Sequence, residues 1–393
     1  MRTIPAWKIK RELRAVYDLI AHLPTLILGP IWIYIYDLIQ SRFSNIHFGL
    51  ATDSPKVAIL VVYQPRGLFD STVLTCQHLA KHGYAIFLVS NGKLPEESVE
   101  RLIPHCWKIL ERPNIGYDFG AYRDAILHLK QRLPSTENLL LMNDSIWYPS
   151  HEQDDLMSRL ESHPAAFVGP MLFGSPESSD SKKRKHGLFV GSFMMMFKRT
   201  VLNHRAFLTY WQSYQMTGNK QFTMSRGERG LSNFMSQSGH APEGLVSEDS
   251  IRKQLIAMSE EDLDLVLDNL VHIEGEEDIM RIRHAVSILS RASSSQDSTK
   301  RLNITECTND TQSTERAHKV EIMMSFLTRP NPWVRCPWLV IDFLKVPYIK
   351  KRTDLPLYRA ALKDIMRRDH SRSTSQLLPV VSREINGRLR AIE

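Results

Sequence analysis

Apolar residues run without a break through positions 57–63 (Val-Ala-Ile-Leu-Val-Val-Tyr), 85–89 and 139–142. The second run ends at Ser90-Asn91-Gly92 and the third at Asn143-Asp144-Ser145. Short continuous runs of this kind predict strands buried on both faces. Between them lie amphipathic stretches: a helix over 71–82 closed by Gly83, a short helix over 96–103, and a helix entered from a Gly-rich turn and running through Leu129. A third short apolar strand is expected at 107–110. Strands alternating with helices predict an α/β fold with a mostly parallel sheet covered on both sides.

Further along, 167–169 and 193–197 read as strands, with Met194-Met195-Met196 as gap-filling core residues. Helical spacing returns over 200–215 and 249–289. Residues 292–317 are rich in Ser, Thr, Gln, Asn and Asp and read as a polar linker. A small helical appendage over about 320–368 should pack back on the main domain. The expected organisation is therefore a segment 1–50, a catalytic-type domain 55–290, a linker 291–318 and a C-terminal helical part 319–393, with no internal repeat.

The first segment stands apart. Residues 19–36 are nearly all apolar and follow Lys8, Lys10, Arg11 and Arg14, but Pro24 and Gly29-Pro30 would interrupt a spanning helix. An interfacial or re-entrant anchor on the inner face of the plasma membrane is expected, with Trp32, Tyr34 and Tyr36 near the headgroups. The alternative is a helix packed on the protein's own core. Lys345, Lys350, Lys351 and Arg352, set among Trp338, Phe343 and Tyr348, suit a second contact with that surface.

Composition narrows the partners. At 393 residues with 42% hydrophobic and 24% charged residues, the chain is ordinary for a globular protein. A net charge of +7 favours anionic partners such as nucleotide diphosphates or anionic lipids. No zinc spacing, basic recognition helix or RNA-binding signature appears, so nucleic acid is not an expected partner. Cys76, Cys106, Cys307 and Cys336 are widely spaced and form no metal or redox motif, which fits a reducing, cytoplasmic setting.

The densest chemistry lies in 111–123 (Glu-Arg-Pro-Asn-Ile-Gly-Tyr-Asp-Phe-Gly-Ala-Tyr-Arg) and in Asn143-Asp144-Ser145 at the end of an apolar strand. Ligands of open α/β sheets bind beyond the carboxyl ends of the strands, so both clusters should line one crevice. Asn, Gly and Asp also build ordinary turns, which is the competing explanation.

The pattern Asn114-x-Gly116-x-Asp118-x-Gly120-x-Tyr122, then Asn143-Asp144-Ser145, resembles the rhamnan synthesis protein F family of bacterial polysaccharide glycosyltransferases. Ser192-Phe193 with Phe197 and Arg199, Gly227-Glu228 with Gly230-Leu231-Ser232, Asn331-Pro332, and Pro347-Tyr348-Ile349-Lys350 follow in the family's order. The likeness covers roughly residues 55–245 and 326–365. Where a Gln is expected before Ser192 this chain carries Gly191.

The resemblance implies a GT-A-like, Rossmann-like fold and transfer of a sugar, rhamnose by the family's name, from a nucleotide-diphosphate donor to a growing polysaccharide or lipid-linked glycan. An Asp-x-Asp element would hold ribose and a divalent metal. Here Asn143-Asp144-Ser145 stands in that place, with one carboxylate, so Asp144 is the expected ligand for Mg²⁺ or Mn²⁺ and Asn143 and Ser145 its hydrogen-bonding supports. Metal-independent transfer assisted by Arg or Lys stays open.

Asn114, Gly116 and Asp118 would sit beside the donor, with helix capping as the alternative role for Asp118. Arg112 or Arg123 would meet phosphate, or else serve as surface charges. Tyr63, Gln64 and Asn91, just past two strand ends, are candidates for base and ribose, or simply loop-formers. Glu228, between Arg226 and Arg229, is the candidate catalytic base, with a surface ion pair as the alternative. The polar stretch ending in Lys182-Lys183-Arg184-Lys185 reads as a solvated loop or as a lid over a diphosphate. Two other readings compete. A nucleotidyltransferase would need a phosphate loop, of which Gln64-Pro65-Arg66-Gly67 is a poor version. A non-catalytic sugar-binding or scaffold subunit would account for the missing second carboxylate at Ser145.

Overall fold

A computed structural model describes residues 31, 33–174, 187–271, 308–328, 331–368 and 376–392. The anchor residues 19–30 and Trp32, the basic stretch 182–185, the helical pattern 272–289, most of the polar linker and Cys307 lie outside the described residues.

Four parallel strands form the centre: β2 (Lys56–Val62), β3 (Tyr84–Ser90), β4 (Lys108–Glu111) and β5 (Asn138–Asn143). On one edge β1 (Asn45–Phe48) pairs antiparallel with β4. On the other side β9 (Met194–Lys198) runs antiparallel to both β5 and β7 (Phe167–Phe173). Beyond them β10 (Glu243–Val246) runs parallel to β7, and the short β8 (Phe189–Val190) pairs with β7. The order across the sheet is β1-β4-β3-β2-β5-β9-β7-β10. The fold is mixed α/β with a mostly parallel central sheet.

The strand residues explain why both faces are covered. Ala58, Leu60 and Val62 of β2 enter one apolar cluster, and Val57, Ile59 and Val61 enter the other. On the first face pack α2 (Asp70–Lys81) and α3 (Glu96–Leu102), through Cys76, Leu79, Val99 and Leu102. On the second face packs α4 (Tyr117–His128), through Phe119, Tyr122, Ala125 and Ile126. The chain thus leaves β2 toward one edge, through β3 and β4, and returns on the opposite side of β2 as β5. Neighbouring β2 and β5 are where the winding direction reverses, the position at which open α/β sheets form a ligand crevice.

The C-terminal part is not a separate body. Trp333, Leu339, Tyr348, Leu362, Val381 and Ile385 belong to the same apolar cluster as α2 and α3. Its key connection is the two-residue strand β11 (Ile349–Lys350), which pairs antiparallel with β6 (Ile146–Trp147), just after Ser145. The helix Thr308–Leu327 begins ten residues earlier than the polar composition suggests, so 308–317, expected as linker, is helical. Its later half carries Val320, Met323, Met324 and Leu327 into the core, which stabilises helix that local composition alone does not favour.

A helix over 33–39 precedes β1. Tyr36, expected among lipid headgroups, points the other way: it is buried, and its hydroxyl donates to Asp124 at 2.6 Å. Ile31, Tyr34, Ile35 and Leu38 remain exposed. Among the described residues no helix is long and apolar enough to cross a membrane. Cys76, Cys106 and Cys336 are buried thiols, and Met194, Met195 and Met196 are core.

Candidate functional site

The crevice at the β2/β5 reversal is built from five pieces of chain. Asp144 follows the last residue of β5, and its backbone N–H donates to Val61 of β2 at 3.0 Å, which fixes the turn. Its Oδ2 accepts from the Tyr63 backbone N–H at 3.1 Å and from Gln64 Nε2 at 2.9 Å. Both donors go to one oxygen, so among the described residues Oδ1 has no donor. Asn143 shapes the same turn: its Oδ1 accepts from Ser145 N–H at 3.1 Å and its Nδ2 donates to Asp118 Oδ2 at 2.8 Å.

Asp118 is delivered by the glycine turn. Gly116 adopts φ 78°, and a Cβ there would stand 2.9 Å from Met216. Both the left-handed backbone and the close approach require glycine. Gly116 is the N-cap of α4 and no side chain caps it, so Asp118, in the first turn, is free for Asn143 rather than engaged in capping. Tyr117 shares the strained geometry, with φ 52°, and its hydroxyl donates to Gly218 O at 2.9 Å. That bond ties the loop before the next piece to the turn.

Glu228 comes from a single π-helical turn, Ser225–Arg229. Such turns are uncommon and frequent at functional sites. Gly227 lets the turn lie directly on Phe119 of α4, whose ring a Cβ would meet at 2.5 Å. Glu228 makes no pair with its flanking arginines. Arg226 reaches Gln215 Oε1 at 3.2 Å, and Arg229 lies over the Phe189 ring at 5.3 Å. The Glu228 Oε1 atom instead accepts from the Ser192 hydroxyl at 2.5 Å and the Ser192 N–H at 2.9 Å. Ser192 is in turn held by the Tyr122 hydroxyl, which donates to its carbonyl at 2.9 Å.

Electrostatics show that these groups face one another. The Asp118 carboxyl is raised from 3.8 to about 6, by burial first and then by the negative charges of Asp144 and Glu228. Lys220 and Lys350 act in the opposite direction. Solvent still reaches Asp118 in part. Lys350 is lowered from 10.5 to about 7 and Lys351 to about 8, chiefly by burial. Glu228 and Asp118 oppose the shift at Lys350; Asp144 and Glu384 oppose it at Lys351. Neither lysine was expected here. Both were assigned to a membrane-facing surface, because the pairing of β11 with β6 leaves no trace in local sequence.

Three expected donor contacts lie elsewhere. Arg112 is fully buried and saturated: Nε donates to Asp124 at 2.6 Å, Nη1 to Asn91 Oδ1 at 2.5 Å, and Nη2 to the Tyr36 hydroxyl and Ile115 O. Arg123 is bidentate to Asp37, 2.7 Å for each bond. Asn91 is consumed by Arg112. Arg112 and Arg123 lock the 33–39 helix to α4, and the buried Arg123 Nε has no hydrogen-bond partner among the described residues. Asn114 is exposed, as are Ser145 and Tyr63, at the crevice's rim. Gln64 is divided between roles: Oε1 accepts from Phe69 N–H at 2.9 Å and Nε2 donates to Thr72 and Asp144. The loop 64–67 is therefore a side-chain-braced turn and not a phosphate cradle.

The model of rhamnan synthesis protein F matches residues 86–271, a span that includes Asp118, Asn143, Asp144 and Glu228. An uncharacterised protein of Sinorhizobium fredii (strain NBRC 101917 / NGR234), y4gN, is 32% identical over 268 residues, 68% of each chain. The chain belongs to the rhamnan synthesis protein F family. Membership points to a role in polysaccharide synthesis. In this member of the family the crevice also draws on residues 350 and 351, beyond the matched span.

Among the described residues no three His, Cys, Asp or Glu side chains converge to hold a metal by themselves. Asp144 Oδ1, without a protein donor, suits a single carboxylate contact to Mg²⁺ or Mn²⁺, whose other ligands would be phosphate oxygens and water.

Proposed function

We propose that the protein is a glycosyltransferase of polysaccharide synthesis, with the crevice between β2 and β5 binding a nucleotide-diphosphate sugar in a GT-A-like arrangement. The carrying observation is the meeting of Asp118, Asp144 and Glu228 at the sheet's reversal point, opposite Lys350 and Lys351. Such a site can hold the hydroxyls of a sugar on its acidic side and an anionic leaving group on its basic side. In the transfer, the bond between the anomeric carbon and the diphosphate oxygen breaks, and its electron pair leaves with the diphosphate. An acceptor hydroxyl oxygen forms the new bond to that carbon and gives up its proton. Glu228 is the proposed proton acceptor: held by Ser192, it is oriented without being paired to an arginine. Asp144 orients the donor, and a divalent ion bound there would add positive charge to the leaving group. Asp118, Asn143, Gln64 and the Tyr63 backbone complete the donor side. Rhamnose as the transferred sugar, and a lipid-linked or polysaccharide acceptor, rest on the family's name alone.

A thermal-shift panel of nucleotide sugars, each with and without Mg²⁺ or Mn²⁺, tests the reading. A donor that binds the folded state raises its apparent stability. The expected result is a shift with one class of nucleotide-diphosphate sugar, lost in Asp144→Ala. No shift with any of them would overturn it. The second reading, a sugar-binding scaffold subunit, draws on Ser145 standing where a second carboxylate is expected. It predicts binding of glycan without release of nucleotide diphosphate.

The proposed setting is the cytoplasmic face of the membrane. Exposed Tyr34, Ile35, Leu38, Phe43, Phe48 and Leu50 crowd into one short stretch of chain that follows the apolar run 19–36. Flotation with anionic vesicles should carry the wild type upward and leave a Leu38→Ser/Phe43→Ser/Phe48→Ser variant at the bottom. Equal flotation of the two would remove this surface from the proposal.

A further inference from the structure

We propose that the 33–39 helix links attachment to an anionic membrane surface with the order of the donor crevice, Tyr36 and Arg112 being positioning residues for the turn that delivers Asp118. This rests on the glycosyltransferase reading and its membrane setting, and adds that the surface and the site act on one another.

The helix has two faces. Ile31, Tyr34, Ile35 and Leu38 are exposed, at the i, i+3, i+4, i+7 spacing that puts them on one side of a helix. Ile33 and Tyr36 are buried on the other side, where Asp37 makes its two 2.7 Å bonds to Arg123 of α4. One face therefore holds the protein while the opposite face is open to lipid. A bilayer is the occupant that the neighbouring chain supports. Exposed Phe43, Phe48 and Leu50 follow the helix, and the apolar run from residue 19, with Lys8, Lys10, Arg11 and Arg14 ahead of it, leads directly into it. Apolar and aromatic residues beside basic ones suit the boundary of an anionic leaflet.

From Tyr36 the contacts reach the crevice in two steps. Its hydroxyl accepts from Arg112 Nη2 at 3.0 Å, and the same Nη2 donates to Ile115 O at 2.7 Å. Ile115 precedes Gly116, the left-handed residue from which α4 and Asp118 start. Gly120 permits the approach: a Cβ there would stand 2.1 Å from Ile115 O and 3.2 Å from Arg112 Nη2. Helix, guanidinium and glycine turn are thus one connected unit.

So short a helix is marginal by itself, because the cost of nucleation is spread over few hydrogen bonds. Lipid that covers the outer stripe stabilises the helix in its docked place, and the docked helix holds Arg112 against Ile115 O. The linkage runs both ways, so a donor that orders the turn also tightens membrane attachment.

The test follows amide hydrogen exchange over 113–122 in the full-length chain, alone, with phosphatidylcholine vesicles, and with vesicles that also contain phosphatidylglycerol. In the wild type the anionic vesicles should slow exchange of this turn about 5- to 50-fold, within the range of ordinary allosteric coupling, and phosphatidylcholine alone should do less. Tyr36→Phe keeps the ring and deletes the hydroxyl that joins Arg112 and Asp124. It should float with the anionic vesicles as the wild type does, yet show slowing of less than about twofold. Asp37→Asn loosens the helix from Arg123 without touching Arg112, and should reduce the slowing as well. Tyr84→Phe removes a different buried hydroxyl, the one that donates to Glu161 at 2.9 Å, and should keep the full effect. Melting temperatures check that each variant is folded. Thermal shifts with uridine, guanosine and thymidine diphosphate sugars give a second readout: anionic vesicles should enlarge them in the wild type and leave them unchanged in Tyr36→Phe.

Slowing of equal size in the wild type, Tyr36→Phe and Asp37→Asn would overturn the coupling, as would a wild type that floats and shows no slowing. A wild type that does not float, whether single or self-associated through this stripe, would overturn it together with the membrane setting. An exchange effect lost in Tyr36→Phe, with no response to any nucleotide sugar, would uphold the coupling while the glycosyltransferase reading fails.

Discussion

Two charged clusters stand on either side of α4's entry, and they differ in what each charge touches. Below it, Arg112 bonds Asp124, the Tyr36 hydroxyl and Asn91, Tyr36 also donates to Asp124, and Arg112 and Asp124 are buried from solvent. Above it, Asp118, Asp144 and Glu228 make no salt bridge among the described residues, and Lys350 Nζ lies over the rings of Phe193 and Tyr348. Both clusters use the same side-chain chemistry. A charge with a full complement of partners stabilises the fold, whereas a charge held against its electrostatic interest is available to a ligand.

The contrast can be broken first at its most costly point. Arg112→Met leaves buried Asp124 with the Tyr36 hydroxyl and the more distant Arg123, 3.6 Å away, and should destabilise the fold by about 3–5 kcal/mol in urea titrations. If the loss is below 1 kcal/mol, the lower cluster is not the structural brace described here. The next effect is on turnover. Asp144→Ala should reduce transfer about 10²–10³-fold, the range seen when a preorganised polar contact to a reacting group is removed. Far-ultraviolet circular dichroism of that variant should match the wild type. Turnover within twofold of wild type would take Asp144 out of the mechanism.

A third effect has the opposite sign to the first. The Asp118 carboxyl titrates near 6 in the folded chain and at 3.8 ordinarily, so folding binds its proton more tightly. Its contribution to stability is fully present below about pH 4 and is lost as pH rises through 6. Asp118→Asn should therefore stabilise the protein by roughly 1–3 kcal/mol at pH 7, with little effect at pH 4, while donor binding falls. Destabilisation at pH 7 would mean that the three carboxylates do not repel. The smallest effect calibrates the others. Arg352 and Asp354 are paired but about half exposed, at 50% and 59%. Breaking them with Asp354→Asn should change stability by no more than about 0.5 kcal/mol in the same titration.

The two clusters also mark the limit of what the residues reveal in linear order. The strands β2, β3 and β5 are legible because burial on both faces forces continuous apolar runs, and the reversal between β2 and β5 follows from their order with α2, α3 and α4. Asp118, Asn143, Asp144 and Glu228 are legible as a set, and the structure brings them together. Arg112 and Arg123 are braced by Asp124 and Asp37, 12 and 86 positions away, contacts that linear order does not show. Lys350 and Lys351 stand out in the sequence, but as a membrane-facing group, for the converse reason. They reach the crevice through a two-residue strand pairing about two hundred positions from its mate, too short to leave a periodic signal. The helical start at Thr308 is hidden because its early residues are polar and its stability comes from packing further along.

The pairing of β11 with β6 has a consequence for how the protein comes into being. A ribosome that has made every carboxylate of the crevice still has more than a hundred residues to add before Lys350 leaves the exit tunnel. Until then the nascent sheet presents those carboxylates with Lys220 but without Lys350 and Lys351, and a chain cut short before Lys350 would share that imbalance.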